Sequence, residues 1–528
     1  MDRRTFLKSA VGAGALGTVG GLATPAISQR AAAQALRFVP FADLANFDPV
    51  WSGAANVRNA GLLVWDTLYG VDNTLTPRRQ MIEAEEVSAD GLTWTFRLRP
   101  GLKFHDGELV LAKDVLASIN RWAPRKPMGR MIKAIENELV VVDDRTFRWV
   151  LKKPYPKMPL ALGKMAPCFV MPARIAATDP FRQIGEYVGS GPMRFVRNEW
   201  VPGAKAVFEK FADYVPRQEP PSWFAGGKNI VVDRIEWITI PDPATAAAAL
   251  QSGEVDWVEV VLPDLLPILR KNPNVVTAIS DPVGLVGVLA MNHLFSPFND
   301  VRARRAIVMA LSQEDYMRAY LGDDDSLWKP MPGYFAPGTP FYTEEGGDIF
   351  KGPRKVDAAK RLLADSGYAG EPITVMKAQD TPNKAWGDVT VDLLRRLDMK
   401  VDLAAVDWGT VVARMVQKSP PGQGGWQMSI FTVDGAADLS GGMLGADGNV
   451  PWNGWANNPQ IEAEIAAWYN ATSLDEEKTI ARRLNRLAID HVLYAPLGVM
   501  LQQHAWRKNV SGIVQAPLPM FWGVSKTA

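Results

Sequence analysis

The chain has 528 residues, 47% of them hydrophobic, with 58 Lys and Arg against 57 Asp and Glu. That length exceeds what one core serves, so two or three domains are expected, and the balanced charge leaves no basic face for nucleic acid. Eighteen tryptophans is a high count; large flat side chains beyond the needs of a core suit a protein that grips organic solutes.

In chain order, Asp2-Arg3-Arg4-Thr5-Phe6-Leu7-Lys8 reads as a twin-arginine export signal. An uncharged Gly- and Ala-rich run follows over 9–23, too short to span a bilayer permanently, and Pro25 breaks it. Ala31-Ala32-Ala33-Gln34-Ala35 offers small-residue cleavage sites, so 1–35 is expected to be removed on export. Gly12-Ala13-Gly14-Ala15-Leu16-Gly17 matches the dinucleotide fingerprint, but no strand precedes it and it lies in the signal. No later stretch approaches 18 uninterrupted apolar residues, so the mature chain is expected to be soluble in the periplasm.

Residues 36–41 read as a first strand. The turn Asn46-Phe47-Asp48-Pro49 leads through Trp51 and Ser52 to a helix near 56–68. Residues 92–99 alternate strictly, as a half-buried strand does. After Pro100-Gly101 and the turn Lys103-Phe104-His105-Asp106-Gly107 comes a helix over 112–122, then a hairpin from 138–142 and 146–151. His105 beside Asp106 supplies too few ligands for a metal and is read as structural. The lone cysteine, Cys168, excludes an internal disulfide; it is far from the N-terminus, so it is no lipid anchor, and a free buried thiol is expected.

Gly189-Ser190-Gly191-Pro192 is a turn, not a serine elbow, because Val188 stands where the first glycine is needed. Residues 231–240 and 255–261 read as strands around a helix over 244–251, capped by Asp242 and closed by Gly253. Beyond 290 the pattern becomes α/β. Residues 300–320 read as a helix, and 329–339 as a Pro/Gly loop. Helices over 357–365, 384–397 and 408–417 alternate with strands over 373–376, 401–406 and 426–433. Ser473-Leu474-Asp475-Glu476 is a capping box opening a helix to about Val492.

That β-α-β-α-β order places Asp434 at the carboxyl edge of a mostly parallel sheet, where ligands of open α/β sheets bind. A carboxylate there, followed by the Gly- and Trp-rich loop 435–455, can hold a cation such as a substrate amine. The alternative is that Asp434 caps a turn.

The run Thr93-Trp94-Thr95-Phe96-Arg97-Leu98-Arg99-Pro100-Gly101-Leu102-Lys103-Phe104-His105-Asp106-Gly107 resembles the signature of family 5 solute-binding proteins. These are the extracytoplasmic oligopeptide, dipeptide and nickel receptors of ABC importers. Asn46-Phe47-Asp48-Pro49, Val188-Gly189-Ser190-Gly191-Pro192, Ser252-Gly253-Glu254-Val255-Asp256 and Pro297-Phe298-Asn299-Asp300-Val301-Arg302 resemble further family segments, and the resemblance runs over 36–515. It implies an α/β, two-lobed periplasmic binding protein fold of the cluster C type. Lobe one would comprise 36–75, 186–290 and 495–528, with an extra domain over 76–185; lobe two would comprise 291–494. It also implies a monomeric receptor without a cofactor. Hinged lobes would close on a small peptide or related solute and deliver it to the permease subunits, with their cytoplasmic ATPases.

In peptide-binding members an Asp of lobe two pairs with the ligand's α-ammonium group. Phe431-Thr432-Val433-Asp434-Gly435-Ala436-Ala437-Asp438 resembles that pattern, so the resemblance implies this role for Asp434. Leu439 stands where the family often has Pro. The pocket walls are expected from Phe431, Gly435, Trp408, Trp452 and Trp455, with Trp51 and Ser52 from the other lobe. Two alternatives stay open. One is a receptor for a metal chelate of the nickel type or another non-peptide solute. The other is a periplasmic hydrolase, although no G-x-S-x-G or H-E-x-x-H motif is present and His105, His293, His491 and His504 show no metal spacing.

Overall fold

The strand Ala35–Val39 lies at the centre of a seven-stranded sheet, because an apolar strand covered on both faces belongs in the middle. Its neighbours Arg234–Ile238 and Trp257–Val261 run parallel to it, and the outer pairings are antiparallel. Phe38 meets Trp237, Trp257 and Phe521 at ring separations of 5.4, 5.0 and 5.1 Å, which fixes one face of this lobe. The computed structural model describes residues 35–164, 167–436, 439–440 and 442–527. Residues 1–34 of the expected export signal, the glycine run inside it and Asp438 therefore lie outside the described residues, while Ala35 opens the first strand.

A second sheet has six strands, in the order Trp328–Lys329, Ala495–Met500, Leu285–Met291, Met428–Asp434, Ile373–Ala378 and Val401–Val406. Two of the five pairings, those of Ile373–Ala378 with Met428–Asp434 and with Val401–Val406, are parallel; the other three are antiparallel. The expectation of a mostly parallel sheet is thus corrected. Leu285–Met291 and Ala495–Met500 carry the chain into and out of this lobe; Leu285–Met291 inserts antiparallel between Met428–Asp434 on one side and Ala495–Met500 on the other. The same strands move the expected lobe boundaries. The chain leaves the first sheet after Val275–Ile279 and crosses over 280–284, then returns over 501–502 to Gln503–Arg507. The boundaries expected at 290/291 and 494/495 fall inside or beside second-lobe strands.

A third sheet of four antiparallel strands lies within 76–185. In Thr93–Leu98, Trp94, Phe96 and Leu98 point inward, as the alternation predicts. His105 acts as a brace here. The Gly189 N–H donates to its Nδ1 at 3.2 Å, so Nε2 carries the proton and donates to the Gly191 carbonyl at 3.0 Å. Burial pushes its pKa down to about 4, so the ring is neutral and holds the glycine turn in place.

Two helices differ from their predicted extents. The single helix over 300–320 is two, Val301–Ala310 and Gln313–Leu321, because Leu311 is extended and Ser312 starts a new helix, accepting from the Asp315 N–H at 3.3 Å. The helix near 56–68 is Ala55–Val64, after which Trp65 turns extended and its indole donates to the Val188 carbonyl at 3.1 Å. Among the described residues no helix is long and apolar enough to cross a membrane.

Candidate ligand-binding site

A cavity of about 410 Å³ lies between the two lobes, within the range of about 300–1,000 Å³ for small-ligand pockets. Val71 and Leu75 reach it from the first lobe, Trp122 and Met128 from the third-sheet unit, and Met331, Tyr334, Trp468 and Tyr494 from the second lobe. These walls are apolar and aromatic, so the few charges among them dominate recognition.

Asp434 is one of those charges. Along Met428–Asp434 burial falls from the buried Met428 to the exposed Asp434, so the strand delivers its last side chain into the cleft. Asp434 pairs with Leu285, the first residue after the crossing 280–284. The next residue must be small. A Cβ on Gly435 would stand 2.6 Å from the Gly284 carbonyl oxygen and 2.8 Å from that of Val283, while the Gly435 N–H donates to the former at 2.9 Å. Asp434 is thereby fixed against the hinge. Among the described residues its carboxylate accepts no side-chain or backbone hydrogen bond.

Behind Asp434 is a second, smaller cavity of about 40 Å³, shared with Glu259, Asp281, Gln502 and His504. Burial pushes the Glu259 carboxyl up to about 7 although it accepts the Phe41 N–H at 2.8 Å. Burial likewise pushes Asp281 up to about 6, with the charge of Asp434 adding a smaller push.

Across the main cavity stands Arg58, from the helix Ala55–Val64. Its Nε is buried without a hydrogen-bond partner. Burial lowers its pKa, and the attraction of Asp434 partly offsets that. Lys126 stands nearby, pushed down to about 8 by burial first and then by the charges of Arg58 and Arg125.

Of the site residues expected from sequence, Asp434 and Gly435 line the cavity together. Phe431 is buried within the strand, edge-on to Trp452 at 5.2 Å, and Trp408 meets Trp452 at 6.2 Å. Trp455 is core, 5.7 Å from the Trp426 ring. The loop before Trp455 folds back onto the strand, so these aromatics support the wall instead of forming it. Trp51 donates its indole N–H to the Phe181 carbonyl at 3.2 Å, and the Ser52 Oγ accepts the Ala54 N–H at 3.2 Å. Neither lines the cavity.

The sequence reading missed Arg58, Trp122, Lys126, Tyr334, Trp468 and Tyr494. A signal existed for two of them. Arg58 is the only charged residue of its helix, between buried Val57 and Asn59. Tyr334 belongs to the Pro/Gly loop 329–339, and loops on a rigid scaffold often carry binding residues.

The sequence profile of bacterial extracellular solute-binding proteins, family 5 (middle region), matches residues 76–443. The chain belongs to this family. This family 5 receptor is 35% identical over 539 residues to the probable peptide ABC transporter periplasmic-binding protein y4tO of Sinorhizobium fredii, covering 100% of this chain and 99% of that one. Its fold is that of the periplasmic binding protein DppA from Helicobacter pylori, solved with the peptide STSA (TM-score 0.75, 22% identity, 94% of this chain and 98% of that). It is also that of NikA from Brucella suis, solved with Fe(III)-EDTA (TM-score 0.76, 21% identity, 93% of this chain and 100% of that). The expected two-lobed α/β architecture and the solute-receptor reading both hold, and the family is one of receptors that act outside the cytoplasm.

Proposed function

We propose that this receptor captures a small peptide or peptide-like amine between its lobes and hands it, chemically intact, to the permease of an ABC importer. Asp434 pairs with the solute's ammonium group, and Gly435 keeps that carboxylate pressed against the hinge. The observation that carries this reading is the position of Asp434, an unpartnered carboxylate at a strand end facing an apolar interlobe cavity. A charge-assisted pair in such a closed site is worth about 2–5 kcal/mol when truncated. The receptor reaches the periplasm by the twin-arginine route and works as a monomer.

Calorimetry with a small-peptide panel tests this. Asp434→Ala is expected to weaken binding by about 30-fold or more, with every peptide recovered uncleaved. Unchanged affinity removes the role of Asp434, and turnover favours a hydrolase. The runner-up is a receptor for an anionic metal chelate or another non-peptide solute. The cations Arg58 and Lys126 favour it, and such binding would survive Asp434→Ala.

A further inference from the structure

The segment Ala31-Ala32-Ala33-Gln34-Ala35 holds the small-x-small pattern that a signal peptidase reads in two overlapping places, Ala31-x-Ala33 and Ala33-x-Ala35. The sequence alone therefore allows a cut after Ala33 or after Ala35. The mature chain would begin with Gln34 in the first case and with Leu36 in the second. The fold accepts only one of these beginnings.

Ala35 already belongs to the first strand. It pairs with Arg234 in the parallel ladder to Arg234–Ile238, it is 7% exposed, and Leu36 after it is wholly buried. Its carbonyl accepts from the Lys526 ammonium at 3.0 Å. The same ammonium donates to Asp256 Oδ2 at 2.9 Å, and that oxygen also accepts the Arg37 N–H at 2.8 Å. The start of the strand is thus tied to the far end of the chain. A peptidase must draw an extended segment into its own cleft, with residues on both sides of the bond. Once the strand has formed, the Ala35–Leu36 bond is held in the sheet and cannot be drawn out. A cut there before folding fares no better. It removes the carbonyl that Lys526 bonds and puts the new α-ammonium of Leu36 beside the Lys526 ammonium, whose side chain is only 9% exposed. Burying a charge without a partner is costly. A cut after Ala33 leaves the ladder and the carbonyl untouched.

We propose that the export signal is cut between Ala33 and Gln34, and that Gln34, once terminal, closes to pyroglutamate. That there is a cut rests on the export proposed above; where it falls rests on the strand. A terminal α-amine titrates at about pH 8, so a usable share is uncharged at neutral pH. The uncharged amine attacks Cδ of its own side-chain amide, the bond from Cδ to Nε2 breaks, and the departing nitrogen takes up the proton that the amine gives up and leaves as ammonia. The new bond from the α-nitrogen to Cδ closes a lactam. No oxidant, reductant or second substrate is needed. The expected leader gives its last two residues back to the mature chain, which begins with a neutral, blocked residue just ahead of its central strand. No ammonium then stands one residue from the carbonyl that Lys526 holds.

The test is intact mass and stepwise N-terminal sequencing of the full chain, expressed in a bacterium with a working twin-arginine system and isolated from its periplasm. The expected mass is that of residues 34–528 less one ammonia. Sequencing should be blocked until a pyroglutamate aminopeptidase opens the chain, and should then begin at Ala35. Gln34→Ser should be cut at the same bond and sequence freely without treatment. Ala33→Leu should leave the chain uncut, because the strand withholds the other site. Ala35→Val spoils that other site and suits a strand, so its cut should be unchanged. A wild-type chain beginning at Leu36 overturns the proposal and leaves export standing, and so does an Ala33→Leu chain cut after Ala35. A start at Gln34 with a free amine overturns the lactam. An uncut chain in the periplasm overturns the cut, and an uncut chain confined to the cytoplasm overturns the cut and the export reading together.

Discussion

At one rim of the cleft, the Lys157 ammonium donates to the Ala471 carbonyl at 2.8 Å and to a Glu477 carboxylate oxygen at 2.5 Å, and lies 5.0 Å from the Trp468 ring centre. The other Glu477 oxygen accepts the Trp468 indole N–H at 2.9 Å. On the facing wall, Arg58 keeps a buried nitrogen unmet and Lys126 is a second cation beside it. Both regions place basic side chains at the lobe interface. In the first, the protein supplies the anion from its own second lobe; in the second it does not. The matched rim joins third-sheet unit and second lobe through the protein's own charges. The unmatched wall raises the free energy of the empty closed form, which a solute of the right charge then lowers. Closure follows from that differential affinity.

The comparison breaks most sharply at Glu477. Glu477→Gln turns the matched rim into a second unmatched wall, since it leaves Lys157, with only 6% of its side chain exposed, without a counter-charge. Removing one partner of a buried pair costs about 3–5 kcal/mol. A clear drop in melting temperature is therefore expected, with a smaller drop in the double variant Lys157→Met with Glu477→Gln. Denaturant titration of the two single variants and the double variant reads this directly. Additive losses would show that the pair is not coupled.

Neither region was read from the chain, and what could be read follows from the range of the forces involved. Local rules carried far. The alternation of Thr93–Leu98, the Asp242 carboxylate accepting the Thr245 N–H at 2.7 Å, Gly253 in the left-handed region and Ser473 accepting from Glu476 at 3.2 Å all stand where residue chemistry put them. Asp434 was legible because a strand end exposes its last side chain. The antiparallel insertion of Leu285–Met291 was not, because its register with Asp434 and with Met500 joins segments far apart in sequence. The tryptophans could not be sorted from the chain, because one side chain serves a core and a pocket equally well, and only packing places Trp455 in the core. Arg58 stood out only as the one charge of its helix, and nothing local says that this charge meets a cavity.

A second prediction sharpens the comparison at the hinge. Gly435→Ala drives a Cβ into backbone oxygens of the crossing, which cannot swing aside as a side chain would. A cost of about 1–3 kcal/mol in stability is expected. The displaced strand end also moves Asp434 relative to Arg58, so affinity falls too. The rim at Lys157 contacts neither Gly435 nor the crossing, so the losses from Gly435→Ala and Glu477→Gln should add. A combined variant losing much less than both would mean that hinge and rim act as one unit.

The smallest effect lies in the pH dependence of the unmatched wall. The folded value of Lys126 is about 8 against an ordinary value of 10.5, lowered first by burial, then by Arg58 and Arg125, with Asp48 acting in the opposite direction. Between those values the unfolded chain holds a proton that the folded chain has released, so the stability of the empty protein rises with pH across that window. A bound anionic solute favours the charged ammonium, so affinity for it should fall over the same rise. Melting temperature and calorimetric affinity for an N-acetylated solute, which has no amine of its own to titrate near pH 8, both measured from about pH 7 to 10 and compared with Lys126→Gln, separate the two trends. The substitution should flatten both. A wild-type affinity that stays level through about pH 8 would leave Arg58 to hold the anion without the lysine.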